Sequence, residues 1–169
     1  MPRLLFRLLL LRAGPEDFPP RTDWLGGLAC LYLSANALIN APSGRWREGL
    51  GAASLAMVLS AAALWLLLAW RGHGRRFLQT FNATMAVTVF FTLALAPISV
   101  QAMEMMQQNV RPSNLTALVT LLFLGWSFSV DAHILRHALE IGRGVSLLLV
   151  GLLYLLVTVV STLLFGPVA

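Results

Sequence analysis

Five apolar stretches, each near the length needed to cross a lipid bilayer, occupy most of this chain. They cover about residues 24–40, 50–70, 77–100, 115–134 and 145–165. A hydrocarbon core of about 30 Å is traversed by about 20 helical residues rising 1.5 Å each. Lipid cannot satisfy open backbone groups, so such runs fold as helices that pack into a bundle. The composition agrees: 58% of residues are hydrophobic and only 11% charged, where soluble domains carry about 25% charge. The expected fold class is therefore all-α, a polytopic membrane helical bundle with five transmembrane helices and an N-terminal interfacial amphipathic helix. Two regions are expected: a cytoplasmic or interfacial segment at 1–20 and a five-helix transmembrane domain at 21–169.

The opening "MPRLLFRLLLLRAGPEDFPP" resembles a signal peptide only superficially. Arg7 interrupts its apolar run and no A-x-A pattern follows, so the segment is expected to be retained. About a dozen apolar residues are too few to span. Arg3 and Arg7 lie one turn apart with leucines around them, as suits a helix lying in the inner interface. Pro19 and Pro20 then forbid further helix.

All 12 basic residues are arginine, which suggests a GC-rich bacterial source, and the net charge is +5. Nine of them (Arg3, Arg7, Arg12, Arg21, Arg71, Arg75, Arg76, Arg136, Arg143) fall on one side of the five-span topology; Arg45, Arg47 and Arg111 fall on the other. The excess marks the cytoplasmic face, so the N-terminus is expected inside and the C-terminus outside a bacterial inner membrane. Trp24, Trp46 and Trp70 sit at span ends, where an aromatic belt belongs. No basic stripe with aromatic platforms is present, so nucleic acid is not an expected partner.

Two stripes recur every four residues: Ala52, Ala56 and Ser60 in the second span, and Thr80, Thr84, Thr88 and Thr92 in the third. Small and hydroxylated residues let membrane helices approach closely. Helix packing is the leading reading; a polar pathway lined by the threonines is the alternative. Pro97 is expected to end or kink the third span. No repeat suggests an inverted-repeat transporter.

The oddest stretch is "SVDAHILRHALEIGR", with six ionisable residues among apolar neighbours. At 100° per residue, His133, Arg136, His137, Glu140 and Arg143 share one face, and Asp131 lies about 160° from His133. His133 is about 27 Å along the helix from Leu115, near the inner interface. The shared face is thus expected to be the wet continuation of the fourth helix. Asp131 faces the other way, so it is expected to pair with Arg75 or Arg76, or with polar groups of a neighbouring helix. Its loss should then destabilise more than loss of Glu140. A proton-linked or ligand-contacting role is the alternative for Asp131.

His133, His137 and Glu140 form H-x3-H-x2-E. Histidines at i,i+4 can converge on a metal, but HExxH and its general base are missing, so the solvated face is preferred. Bis-histidine haem would need ligands facing across helices, and His73, the third histidine, lies in a loop. Met103, Met105 and Met106 suit copper(I) chemically, though adaptable interface packing explains them as well. Cys30, the single cysteine, is a small packing residue that can form no internal disulfide. Asn82 and Asn114 begin N-x-T sequons that a bacterial source would leave unused. No GxSxG, P-loop, GxGxxG or Ser–Lys constellation occurs, and no cofactor is expected.

The stretch "GHGRRFLQTFNATMAVTVFFTLALAP" and the later "GWSFSVDAHILRHALEI" resemble the third and fourth helices of bacterial Yip-domain membrane proteins. The likeness covers roughly residues 20–165 and lacks the acidic-aromatic signature of the eukaryotic members. It implies five helices, a cytoplasmic N-terminus and a non-enzymatic role.

Together these features point to a non-catalytic inner-membrane scaffold or accessory subunit that binds lipid, other membrane proteins or itself. The runner-up is a small channel or transporter-like protein using Asp131, Asn82, Thr84 and Thr88, with Arg75 and Arg76 at its inner end. A metal- or haem-handling protein using His133, His137 and Glu140 is the third reading. A continuous polar cavity would favour the second, and an exposed small-residue face the first.

Overall fold

The computed structural model describes residues 2–108, 110 and 113–166, excepting the side chains of Pro2 and Met106. Every regular element among them is helical: α1 Pro2–Leu9, α2 Thr22–Asn40, α3 Trp46–Trp70, α4 Phe77–Gln107, α5 Asn114–Leu139 and α6 Arg143–Phe165. Short 3-10 turns at Pro15–Asp17 and Gly74–Arg76 precede α2 and α4. Arg111 and Ala169, used in the charge and topology arguments, lie outside the described residues.

Four helices, α3 to α6, are long and apolar enough to cross a membrane. The fifth expected span, α2, is not among them. It has 19 residues, and Asp23, Asn36, Asn40 and the Gly26–Gly27 pair dilute its apolar content. Its amides turn back onto the helix: Asn36 Nδ2 donates to Tyr32 O at 2.9 Å and Asn40 Nδ2 to Asn36 O at 2.8 Å. Pro97 neither ends α4 nor interrupts its helical assignment; the helix continues to Gln107. Pro97 is exposed, and the Leu93 carbonyl loses its i+4 donor within a helix 31 residues long.

Five helices close into a ring in the order α2, α3, α6, α5, α4 and back to α2. Outward faces carry leucines such as Leu118, Leu121, Leu122, Leu148, Leu152 and Leu155, as lipid-facing surfaces do. Two close approaches fasten the ring at the Arg45 end. A Cβ on Gly49 would stand 2.5 Å from the Asn40 amide, and one on Gly51 would stand 2.6 Å from the Phe165 ring. At the opposite end, Arg71 donates to Leu139 O at 3.4 Å and Arg76 pairs with Glu140 at 2.7 Å, joining the α3–α4 and α5–α6 connections.

The N-terminal segment is a strap across α4 and α5. In α1, Arg3 and Arg7 are exposed, while Leu8 and Leu9 are buried. Leu8, Leu9, Ala13 and Phe18 pack with Ala83, Val87, Val130 and Ile134 in one core cluster. A second cluster joins α3, α4, α5 and α6 through Leu68, Phe81, Met85, Leu135, Leu139 and Val150.

Candidate functional site

The centre of the ring is hollow. A cavity of about 240 Å³ is lined from all five ring helices. Tyr32 comes from α2, Ser60 from α3, Thr84 and Thr88 from α4, Asp131 from α5, and Tyr154 and Thr158 from α6. Aliphatic residues, among them Leu64, Ile134, Leu135, Val150, Leu153 and Val157, make up the rest of the wall. The two stripes seen in the sequence thus meet inside the bundle: Ala56 and Ser60 face Thr84 and Thr88 across the hollow.

Among the described residues lining the cavity, Asp131 is the only Asp, Glu, Arg, Lys or His. The Tyr154 hydroxyl donates to its Oδ2 at 2.8 Å. With that proton committed, the Tyr154 oxygen accepts from Ser127 Oγ at 3.2 Å. The chain Ser127 to Tyr154 to Asp131 therefore has a fixed donor direction. Asp131 Oδ1 is buried and has no hydrogen-bond partner. An unsatisfied carboxylate oxygen in an apolar bundle is costly; Asn82 Oδ1 and His73 Nδ1, which do not line the cavity, are likewise buried without a partner.

A second cavity of about 500 Å³ lies toward the Arg45 end, lined by Asn36, Asn40, Thr92, Ser99, Thr120 and Ser127 among others. Thr88 and Tyr154 line both cavities, so they form the partition between them. Thr88 donates its hydroxyl to Thr84 O at 2.9 Å, which leaves its oxygen as an acceptor at that partition. Thr80 does the same to Arg76 O at 2.9 Å and lines neither cavity.

The structure separates the other candidates from this centre. Asn82 lines neither cavity. Its Nδ2 donates to Arg21 O at 2.9 Å and Pro19 O at 3.3 Å, so it pins the strap where two prolines leave the backbone short of donors. Arg75 and Arg76 also lie away from Asp131. Arg75 is exposed at the start of α4, and Arg76 reaches Glu140 instead. Of the two kinds of partner expected for Asp131, the polar group of a neighbouring helix is the one formed, and the arginine pairing is not.

The histidine face is not a wet continuation of α5. Helix α5 ends at Leu139 because Glu140 adopts the left-handed conformation, with φ 55°. That break takes Glu140 off the projected face and toward Arg76. His133 Nε2 lies 3.1 Å from Ala13 O, and His137 Nδ1 lies 3.7 Å from Glu16 Oε1. Both half-buried rings thus meet the strap, while Glu140 meets α4's start. H-x3-H-x2-E is not assembled, and no group of three or more His, Cys, Asp or Glu among the described residues is placed to hold a metal. The Arg76 guanidinium beside the exposed Glu140 carboxyl holds it below the usual carboxylate range.

Tyr154 and Tyr32 are the cavity-lining residues that sequence reasoning passed over. The chain has two tyrosines and both line the central cavity. A single phenol in the apolar run "LLLVGLLYLLV" was the available signal: a hydroxyl there needs a partner inside the bundle. Comparison with known protein families, characterised proteins and solved structures gives no match, so the chemistry of the site rests on its own residues.

Proposed function

We propose that this is a non-enzymatic, transporter-like membrane protein that admits a small guest into its helix ring and holds it at Asp131. The observation that carries the reading is the unpartnered Asp131 Oδ1 in a cavity lined from five helices, adjoining a second cavity through Thr88 and Tyr154. An ionisable residue inside a bundle marks an ion or substrate path by default. The scaffold reading draws less support, because Ala56 and Ser60 of the small-residue stripe line the cavity instead of an outer face.

In this reading α2 crosses with α3 to α6, the amides of Asn36 and Asn40 bonded back onto its own carbonyls. At 19 residues it extends about 28 Å. The N-terminus is cytoplasmic and the C-terminus external in a bacterial inner membrane, as the arginine distribution favours. Strap helix α1 presents its arginines to headgroups. The resemblance to Yip-domain proteins implies the same number of crossings. Reporter fusions after Arg76 and Arg143 should then read as cytoplasmic, and fusions after Trp46 and Ala169 as external. A cytoplasmic C-terminus would remove α2 from the set of spans.

The functional test is flux. Proteoliposomes holding the full chain should dissipate an imposed gradient of a permeant cation or of protons. Asp131→Asn should abolish that dissipation while Glu140→Gln preserves it. Equal flux in both variants, or none above empty vesicles across inorganic ions, protons and small organic cations, defeats the proposal.

A further inference from the structure

We infer that the central cavity binds a small organic cation with an apolar body, its positive charge placed against Asp131 Oδ1. This deepens the proposed function and rests on reading the cavity as a guest site.

The sign of the charge follows from what surrounds the carboxylate. Tyr154 supplies one hydrogen bond to Oδ2, and nothing supplies one to the buried Oδ1. No Arg, Lys or His lines the cavity. Arg71 and Arg76 are engaged at the ring's end, and both histidines of α5 meet the strap. The protein provides no countercharge at the site, so a guest that brings its own is favoured.

The wall chemistry separates an organic cation from an inorganic one. A hard metal ion replaces its hydration shell with about six to eight oxygens. Here one carboxylate is joined by scattered hydroxyls, and the larger part of the wall is aliphatic. Such a wall cannot repay the dehydration of a metal ion, but it welcomes methyl and methylene groups. A proton alone would satisfy Asp131 yet leave the hollow unexplained. The cavity measures about 240 Å³. It lies just below the usual span of drug-sized ligand pockets, so the guest is small. Rings of Tyr32, Phe81 and Tyr154 also line the space, and aromatic faces attract alkylammonium groups.

The test uses benzyltrimethylammonium and its neutral isostere neopentylbenzene, which has carbon in place of the quaternary nitrogen. The readout is thermal unfolding of the purified full chain in mild detergent, where a ligand of the folded state raises the midpoint. The cation should act at a concentration at least tenfold lower than the neutral compound. Asp131→Asn should erase that preference, and Glu140→Gln should retain it. Ala56→Leu, which fills the cavity without touching the carboxylate, should weaken both ligands and guards against a poorly folded Asp131 variant.

Equal potency of the two compounds, or an unchanged cation response in Asp131→Asn, overturns the inference. A midpoint shift caused by sodium chloride alone, lost in Asp131→Asn and matched by no organic cation, would overturn the organic class while leaving Asp131 as a guest site. If no organic cation shifts the wild-type midpoint, the inference fails, and the flux measurement then decides the broader reading by itself.

Discussion

Helix α5 presents two polar faces that end in opposite circumstances. On one, Trp126, His133 and His137 meet the strap: Trp126 Nε1 donates to Leu9 O at 2.9 Å, and the histidines reach Ala13 and Glu16. On the other, Ser127 and Asp131 meet Tyr154, and Asp131 Oδ1 is left without a partner. The difference is that a second piece of chain covers the first face and a hollow adjoins the second. The polar groups of α5 find partners where the strap covers them, and one carboxylate oxygen is left without a partner where it does not.

The contrast can be broken first at its best-packed point. Phe18 is 1% exposed and anchors the strap. Phe18→Ala should cost about 3–5 kcal/mol, the range for emptying a large aromatic site. The check is the unfolding midpoint in mild detergent, together with faster proteolysis near Arg12. A protected strap in that variant would mean that the backbone contacts alone hold it.

A smaller effect is expected where the strap is held by hydrogen bonds. Asn82→Leu leaves the Pro19 and Arg21 carbonyls without their side-chain donor, at about 1–3 kcal/mol. Cation binding should survive in this variant, because Asn82 lines neither cavity. Loss of binding without loss of folded protein would tie the strap to the site.

Asp131→Asn sharpens the comparison from the other side. The amide oxygen can still accept from Tyr154, and no arginine is left unpaired behind it. Its stability should stay within about 1 kcal/mol of the parent, not fall by the about 3–5 expected when a buried ion pair is broken. A fall of that larger size would reveal a cationic partner for Asp131 within the protein.

The smallest effect belongs to the exposed Arg76–Glu140 pair. The folded-state value of Glu140 is depressed, so its contribution is complete above the ordinary glutamate range and is lost as pH falls through the folded value. Glu140→Gln should flatten only that acidic part of the stability profile, and added salt should mimic it in part. An unchanged profile would show that the pair forms no stable bridge in solution.

Much of this architecture was legible in the residues. Helices α3 to α6 follow from apolar length alone, and the stripes through Ala56–Ser60 and Thr84–Thr88 indicated which faces would meet. The fate of the polar residues was harder to read, because their partners are remote in sequence. Asn82 is paired 61 residues away at Arg21, and His133 is paired 120 residues away at Ala13. No local periodicity encodes such contacts. The projection of Glu140 onto the histidine face failed for a local reason instead. A single left-handed residue ended the helix, and glutamate is not a residue that advertises that conformation. Tyr154 was legible as an anomaly, but its partner was not, since Asp131 looked equally able to reach an arginine.

The strap also imposes an order in time. A ribosome adds about 5–20 residues per second, and Leu9 cannot meet Trp126 until 117 further residues have been made. For about 6 to 23 seconds, Leu8, Leu9 and Phe18 lack the α5 side of their cover, Val130 and Ile134. A lipid surface is the shelter within reach, and an amphipathic α1 with outward arginines is suited to rest on it. The docked position of α1 against α4 and α5 is then reached only after most of the chain has been made. Closure of the strap becomes a late event in assembly, after the ring that it fastens has already been threaded.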